Sequence, residues 1–346
     1  MSYSFYTTTQ KAWSGMIESI KKAKKSIYIE MYIFLDDTGS SHDFIGEIKN
    51  KLKEGLEVII VVDIVGSFFL KKNTIQQLRD LGAEICFFSH FLRRTHRKIL
   101  IIDQKIAFLG GVNVKRGSKD WHDLQIKFSG GFLLNPLLKS FSYTYKMAGG
   151  KNEKILDINQ KSFIKKMKSW IVENRGRKDN IYHLNNYYRD KIFNAKKTIT
   201  VVTPYLVPPR WMIALLDAAV YRGVNISFII PKDTDIKIIN HINYYYAKRL
   251  RNLGIKFYFT KKMNHAKLMI IDGNEAIVGS QNIDFLSFDM NAEIGVFFQD
   301  KKAIKNIEII INDWIKKSEV CIPDKNYLGI WSNIFKFFLK LFSPIL

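Results

Sequence analysis

One pattern occurs twice in this chain of 346 residues, and it constrains the fold more than any other feature. THRKILIIDQKIAFLGGVNVK stands at residues 95–115, and NHAKLMIIDGNEAIVGSQNID stands at residues 264–284. Both copies place His, Lys, Asp, Gly and Asn at the same relative spacing. The matched pairs are His96 and His265, Lys98 and Lys267, Asp103 and Asp272, Gly110 and Gly279, and Asn113 and Asn282.

The similarity between the two halves extends well beyond this motif. AKKSI at 23–27 recurs as AKKTI at 195–199, EGLEVIIVVD at 54–63 is echoed by RGVNISFIIP at 222–231, and LRDLGAEICFF at 78–88 is echoed by LRNLGIKFYF at 250–259. The offset between copies is nearly the same for these segments as for the two histidines, and it is close to half the chain. A period this long indicates a duplicated domain, because solenoid repeats span only about 20–50 residues.

Each half alternates amphipathic helical segments with apolar, β-rich runs. This alternation predicts an α/β fold in which helices cover a sheet. We expect an N-terminal domain at 1–140, a polar, lysine-rich connecting segment at 141–182, a C-terminal domain at 183–320 and an amphipathic tail at 321–346.

The motif itself predicts a β-hairpin with a polar face. With Gly273 and Asn274 as a two-residue turn, alternation places one set of side chains on a common face. That set is His265, Lys267, Ser280 and Asn282 in the second copy, and His96, Lys98, Gly111 and Asn113 in the first. The small Gly111 and Ser280 would leave room for a ligand. Asp103 and Asp272 fall on the opposite face at the turn, where we expect them to hold structure rather than to contact substrate.

Imidazole, ammonium and amide groups together suit a phosphate. Two such patches facing each other would give one phosphodiester a nucleophilic histidine and an acid histidine. Each histidine needs a partner on its second nitrogen. The candidates are Asp123, downstream of His96, and Glu293, at a similar spacing downstream of His265. This chemistry requires no metal and no cofactor, and the sequence shows no carboxylate cluster for one.

The charge of the chain points to polyanionic partners. There are 54 Lys and Arg residues against 32 Asp and Glu, a formal net charge of +22. Such a surface attracts nucleic acid or an anionic membrane, and charge alone does not separate the two. The two cysteines, Cys86 and Cys321, exclude a disulfide framework and lack metal-ligand spacing. The sequence shows neither a signal peptide nor an apolar run of the ~18–20 residues that a membrane span needs.

These residues resemble the phospholipase D superfamily, whose signature is H-x-K-x4-D-x6-G-x2-N in each of two halves. Within it the chain looks most like the bacterial cardiolipin synthases, and specifically like a subgroup that lacks N-terminal transmembrane helices. WHDL, TPYLVPP, DAAVYRGVNISFIIP, SFDMNAE and the LFSPIL ending support the likeness. The resemblance implies two mixed β-sheets flanked by helices, a pseudo-two-fold axis and one active site at the domain interface. It departs at Leu286, where many members carry Arg, and this leaves the donor lipid open.

The resemblance also implies an activity, in which a histidine takes a phosphatidyl group from one phospholipid and passes it to phosphatidylglycerol. His96 would be the nucleophile and His265 the general acid, while Lys98, Lys267, Asn113 and Asn282 would hold the phosphate. The expected partners are anionic phospholipids, with phosphatidylethanolamine as a further candidate donor. The expected location is the cytoplasmic face of the bacterial cell membrane, where the protein would bind peripherally.

Residues 327–346 offer a membrane anchor, because a helix here would carry a broad apolar face and a narrow polar stripe. The alternative is a terminal helix packed on the protein's own core. Three alternatives to phosphatidyl transfer stay open at this point: hydrolysis of phospholipid, hydrolysis of nucleic acid, and a non-catalytic scaffold that binds polyanions. Nucleic acid is the less favoured substrate, because it leaves the aromatic tail without a purpose.

Overall fold

A computed structural model of the chain describes residues 2–90, 93–158, 168–176 and 181–320. The first half runs through β1 (Ser2–Thr8), α1 (Thr9–Lys21), β2 (Ser26–Met31), α2 (Phe44–Lys53), β3 (Glu57–Asp63), α3 (Lys72–Asp80), β4 (Glu84–Phe88), β5 (Lys98–Ile102), β6 (Ile106–Gly110), β7 (His122–Ser129), α4 (Gly131–Met147) and α5 (Glu153–Leu156). The second half runs through β8 (Ser169–Gly176), β9 (Ile181–Tyr182), α6 (His183–Asn194), β10 (Thr198–Val202), α7 (Arg210–Tyr221), β11 (Asn225–Pro231), α8 (Lys237–Arg251), β12 (Lys256–Thr260), β13 (Leu268–Ile271), β14 (Glu275–Gly279), β15 (Glu293–Phe298), α9 (Lys301–Lys316) and β16 (Ser318–Glu319).

The strand order shows the duplication directly. Among the described residues, one sheet has the order β1-β7-β6-β5-β2-β3-β4, and the other contains β8-β15-β14-β13-β10-β11-β12. The second sheet also carries β9 and β16 at its edges. In both sheets the central strands pair in parallel and the hairpin strands pair antiparallel. The prediction of a duplicated α/β fold with two mixed sheets and flanking helices is therefore confirmed.

The two sheets share one core. Strands such as β3, EVIIVVD, are apolar nearly throughout, as expected of strands buried on both faces. The central cluster joins residues of the first half, such as Ile99 and Leu109, to residues of the second half, such as Leu268 and Val278. Helix α9, capped by Asp300, adds Trp314 to this cluster. Separate clusters fill the outer side of each sheet, so the halves form a continuous sandwich.

Two sequence expectations concern the ends of the halves. The segment 141–182 contains the end of α4 as well as β8 and β9, so that strands before residue 183 already belong to the second sheet. The tail at 321–346, with its proposed membrane helix at 327–346, lies outside the described residues. Within the described ranges no helix combines the length and apolar character needed to cross a membrane.

Candidate active site

The two motif hairpins turn differently from the prediction. Ile102 pairs with Ile106 and Ile271 pairs with Glu275, so each turn contains three residues rather than two. The turns use left-handed backbone at Asp103 (φ 52°) and Asp272 (φ 52°), a conformation that aspartate tolerates better than most residues. The predicted register is wrong by one position, and a shift of one position exchanges the two faces of a strand. Alternation along the strands therefore does not explain how the motif side chains meet.

The site instead forms where the strands end. β6 ends at Gly110 and β14 ends at Gly279, so both motif asparagines lie beyond the ladders. His96 precedes β5 and His265 precedes β13, in segments that bond to the other half of the molecule. The backbone N–H of His96 donates to Ala292 O (3.0 Å), and that of His265 donates to His122 O (2.7 Å). These matching bridges bring the two motifs to one place at the junction of the halves.

The motif aspartates lie at the far end of the hairpins, as the sequence analysis expects. The carboxylate of Asp103 accepts hydrogen bonds of 2.7–3.1 Å from the backbone N–H groups of Lys24, Lys25 and Ser26. Asp272 accepts equivalent bonds from residues 196–198. Burial opposes the charged form, but the three backbone donors outweigh it and lower the pKa of Asp103 and of Asp272. This contact also explains why the AKKSI segment recurs as AKKTI.

We expect Asp103→Ala to lower the free energy of unfolding by about 1–3 kcal/mol, because three backbone donors lose a charged acceptor. Since the pKa is lowered in the folded state, this contribution is present above the ordinary carboxyl pKa. It is lost as pH falls below about 4, through the folded-state value. Urea unfolding of both proteins at pH 7 and pH 3 measures the difference. A difference that persists unchanged at pH 3 would contradict this account.

The candidate orienting carboxylates are crossed between the halves. His96 Nδ1 lies 2.9 Å from Glu293 Oε1, and His265 Nδ1 lies 2.9 Å from Asp123 Oδ2. Each histidine thus contacts the carboxylate of the other half, rather than the one that follows it in its own half. All four side chains are buried, with 0–7% of their surfaces exposed. With Nδ1 held by a carboxylate, Nε2 is the second ring nitrogen of each histidine, and that of His265 lies 2.9 Å from Lys267 Nζ.

The motif lysines lie beside the histidines. Lys98 Nζ donates to His96 O (2.5 Å), and Lys267 Nζ donates to His265 O (2.5 Å). Lys267 Nζ also lies 2.9 Å from both ring nitrogens of His265. Both ammonium groups are buried, and Lys98 packs over the ring of Tyr32 at 5.2 Å. Burial, followed by the charge of Lys267, lowers the pKa of Lys98 well below its ordinary value, so a bound anion would stabilise the charged form of both lysines.

The two histidines, the two lysines and Glu293 form a buried cluster, and their pKa values reflect how close these ionisable groups lie. Burial, followed by the charges of Lys98 and Lys267, lowers the pKa of His96 well below its usual value. Burial and Lys267 likewise lower the pKa of His265, while Asp123 opposes that shift. Burial lowers the pKa of Lys267 to about 8 and raises that of Glu293 to about 8. These lowered pKa values favour the neutral form of both histidines, and a bound anion would favour protonation of one of them.

The small residues of the motif contact carboxylates. A Cβ at Gly111 would clash with Asp123 Oδ1 and would lie 3.1 Å from His265 O. Ser280, which occupies the equivalent position in the second copy, donates its hydroxyl to Glu293. The space that the sequence analysis assigns to a ligand is filled at Gly111 by Asp123. Both positions are small because each half must pass its carboxylate across to the other half's histidine.

Gly111→Ala is expected to displace Asp123 and to lower turnover by about 10–100-fold, the usual effect of losing an orienting partner. Gly117→Ala is the matched control, because a Cβ at Gly117 meets nothing within 4 Å. Steady-state kinetics of both variants, with unfolding midpoints to verify folding, provide the measurement. Equal activity of Gly111→Ala and Gly117→Ala would contradict the role given to this contact.

The asparagines of the motif lie at the same edge. The side-chain carbonyl of Asn113 accepts from Ile33 N (3.3 Å), and the Asn113 backbone carbonyl accepts from the indole of Trp13 (2.9 Å). The side-chain oxygen of Asn282 is buried without a hydrogen-bond partner among the described residues. An unpaired buried oxygen is costly, which is consistent with a position that contacts a ligand.

Sequence reasoning missed the aromatic walls of the site and a buried guanidinium within the first motif. Tyr32 stands edge-on to His96, with ring centroids 4.8 Å apart, and Trp121 and Tyr205 flank His265 at 5.3 and 6.2 Å. The signal for the tyrosines is present in the matched runs YIEMYIF and TVVTPYLV. Arg97, between the motif His and Lys, is fully buried and pairs with Glu173 at 2.9 Å. Within the described ranges no group of three or more His, Cys, Asp or Glu side chains is placed to hold a metal ion.

Comparison with known proteins assigns the family. A family model described as the phospholipase D-like domain of cardiolipin synthase matches residues 16–126 and 188–314. The chain belongs to this family. The cardiolipin synthase family also contains similar curated proteins: a cardiolipin synthase of Clostridium perfringens is 31% identical over 99% of this chain and 76% of its own length. A probable cardiolipin synthase of Bacillus subtilis is 30% identical over 97% of this chain and 71% of its own length.

A solved structure confirms the fold independently of the sequence. Phosphatidylserine synthase of Haemophilus influenzae superimposes with a TM-score of 0.76 at 15% identity, covering 99% of this chain and 93% of that one. The identification of the sequence as a phospholipase D superfamily member most like cardiolipin synthase is confirmed. Membership makes the chain an enzyme, a phosphatidyltransferase of that superfamily.

Proposed function

We propose that this protein forms cardiolipin by transferring a phosphatidyl group from one phospholipid to phosphatidylglycerol through a phosphatidyl-histidine intermediate. The observation that carries the proposal is the crossed site, in which each half's histidine contacts the other half's carboxylate at 2.9 Å. Each motif supplies only part of such a site, so both motifs must act on one substrate. The cardiolipin synthases that this chain resembles supply the substrate class.

In the first step His96 Nε2 attacks the phosphorus of a phosphatidylglycerol, because its Nδ1 is held by Glu293. The bond between phosphorus and the glycerol oxygen breaks, and His265 gives its proton to the leaving alkoxide. Lys98 and Lys267 neutralise the phosphate oxygens, while Asn113 and Asn282 border them. In the second step His265 takes the proton of a second phosphatidylglycerol hydroxyl, which attacks the phosphorus and releases His96. The products are cardiolipin and glycerol.

The charges around the two histidines support a role for His96 as nucleophile and for His265 as acid. An acid must carry a proton when the leaving group departs, although burial and Lys267 lower the pKa of His265. A bound phosphodiester brings a negative charge into the cluster, and this favours uptake of a proton. Asp123 raises the pKa of His265 and so stabilises an imidazolium there. Glu293 has its own pKa raised to about 8 by burial, so it supports charge on His96 less strongly.

The test compares substrates. The purified chain is incubated with phosphatidylglycerol vesicles and, separately, with plasmid DNA. Cardiolipin with an equal amount of glycerol is the expected result. Phosphatidic acid without cardiolipin would mean that water replaces the second alcohol and that the protein is a hydrolase. Nicked DNA without any lipid product would overturn the proposal in favour of a nuclease. Phosphatidylethanolamine added to the vesicles, with release of ethanolamine, tests the donor.

A further inference from the structure

Exposed apolar side chains from both halves lie on the segments that follow strands β3, β11 and β14, and we call them the apolar rim. Its members are Ile64, Phe68, Phe69, Ile236, Ile238 and Leu286, with 42–78% of their surfaces exposed. Phe68 and Phe69 are the most exposed of these, and their rings contact each other at 5.4 Å. Exposed apolar side chains on segments that contact one site indicate an interaction surface.

Contacts place the first-half part of the rim beside His96. The segment that carries Phe68 follows β3, and it passes so close to Tyr32 that a Cβ at Gly66 would clash with Tyr32 O. Ser67 also donates its hydroxyl to Tyr32 O at 3.0 Å. Tyr32 in turn contacts the His96 ring and the Lys98 ammonium. The segment that carries the exposed phenylalanines is therefore joined to the candidate site through Tyr32.

The second-half part of the rim has an equivalent position beside His265. Tyr205, whose ring lies 6.2 Å from that of His265, donates its hydroxyl to Asp235 at 2.7 Å. Ile236 follows Asp235 directly and is 46% exposed. Leu286 is 55% exposed and precedes Ser287, whose hydroxyl accepts from Asn282 N at 3.2 Å. The rim thus approaches the site from both halves.

We propose that the apolar rim is a membrane-docking surface, which seats the opening of the site on an anionic phospholipid layer. This inference rests on the proposed function, because phospholipid substrates keep their acyl chains in the layer while their phosphates enter the buried site. Exposed lysines stand next to the apolar side chains, with Lys71 and Lys72 after Phe69 and Lys237 between the two isoleucines. Apolar side chains that insert, beside lysines that meet phosphate groups, match the chemistry of an anionic leaflet.

The test uses the full chain and measures binding rather than turnover. Phe68→Asp combined with Phe69→Asp is expected to weaken co-sedimentation with phosphatidylglycerol vesicles by at least tenfold, because two exposed aromatic side chains no longer insert. The matched control is Tyr221→Asp, since Tyr221 is 94% exposed and ends α7, away from the strand ends that form the site. Equal unfolding midpoints show that all variants fold. Unchanged vesicle binding of the double variant would overturn the proposal.

A second measurement locates the surface even if another part of the chain also binds the vesicle. A polarity-sensitive fluorophore is attached to Phe68→Cys or to Tyr221→Cys in a Cys321→Ser background. Cys86 is buried, and burial raises its pKa to about 11, so it stays unlabelled. We expect the emission at position 68 to shift to shorter wavelength with phosphatidylglycerol vesicles, to shift less with phosphatidylcholine, and to stay constant at position 221.

A label at position 68 that is already shielded before vesicles are added would place another segment or a second copy of the chain on the rim, and would overturn the proposal. A label that stays in water with vesicles present would do the same. These outcomes are separate from the fate of the proposed function. Vesicle binding without formation of cardiolipin overturns the function and leaves the docking surface standing.

Discussion

His96→Ala and His265→Ala are each expected to lower phosphatidyl transfer by roughly 10⁴-fold or more, because one removes the nucleophile and the other removes the acid. Neither histidine compensates for the other, since the nucleophile and the acid act in the same step. The double variant should be hardly slower than either single variant, as is found for residues that act as a unit. Initial rates of cardiolipin formation from phosphatidylglycerol vesicles provide the measurement.

His183→Ala is the matched control for this experiment, because His183 is exposed and lies at the start of α6. Its activity should stay within twofold of the parent protein. Full activity of either motif variant would contradict a single site that uses both histidines. Half of the parent activity in each single variant would indicate two independent sites, one in each half.

Glu293→Gln and Asp123→Asn are expected to lower turnover by about 10²–10⁴-fold, since each amide keeps the shape of the carboxyl group but changes the proton and charge next to a histidine. The crossed contacts predict which histidine each variant affects. Glu293→Gln should slow formation of the intermediate on His96, and Asp123→Asn should slow the proton transfers of His265.

Substrates with different leaving groups separate the two carboxylate variants. A donor with an acidic leaving group, such as a nitrophenyl ester, needs no proton from His265. It should therefore restore the first step in Asp123→Asn and not in Glu293→Gln. Restoration in Glu293→Gln alone would reverse the assignment and make His96, which Glu293 contacts, the acid.

Much of the fold was predictable because several different sequence features repeat between the two halves. Three features recur at nearly one spacing: the AKKSI and AKKTI segments, the apolar runs and the Leu-Gly turns. This recurrence predicts two similar sheets. The role of Asp103 and Asp272 away from the histidines was also predictable from their position at the turn. The turn length was not, because Gln104-Lys105 and Gly273-Asn274 are both plausible two-residue turns. The strand pairing in the structure shows that each loop holds three residues, and both aspartates adopt left-handed backbone there.

The candidate site was predictable in its members and not in its connections. The sequence spacing nominates Asp123 and Glu293, but spacing along the chain carries no information about which half's histidine they reach. The exchange arises from the bridges between the halves, His96 N to Ala292 O and His265 N to His122 O. The aromatic walls escaped prediction for a similar reason. Tyr32 and Tyr205 look like ordinary strand residues until the fold places them against the histidines.

The most direct test of the central claim is to trap the intermediate. His265→Ala is mixed with a phosphatidyl ester that carries an acidic leaving group in place of the glycerol head group. The protein is then quenched, digested and analysed by mass spectrometry. The account predicts a phosphatidyl adduct on the peptide that contains His96, and no adduct when His96 is also replaced. An adduct on any other residue, or multiple turnovers without an adduct, would contradict one site built from both halves with His96 as its nucleophile.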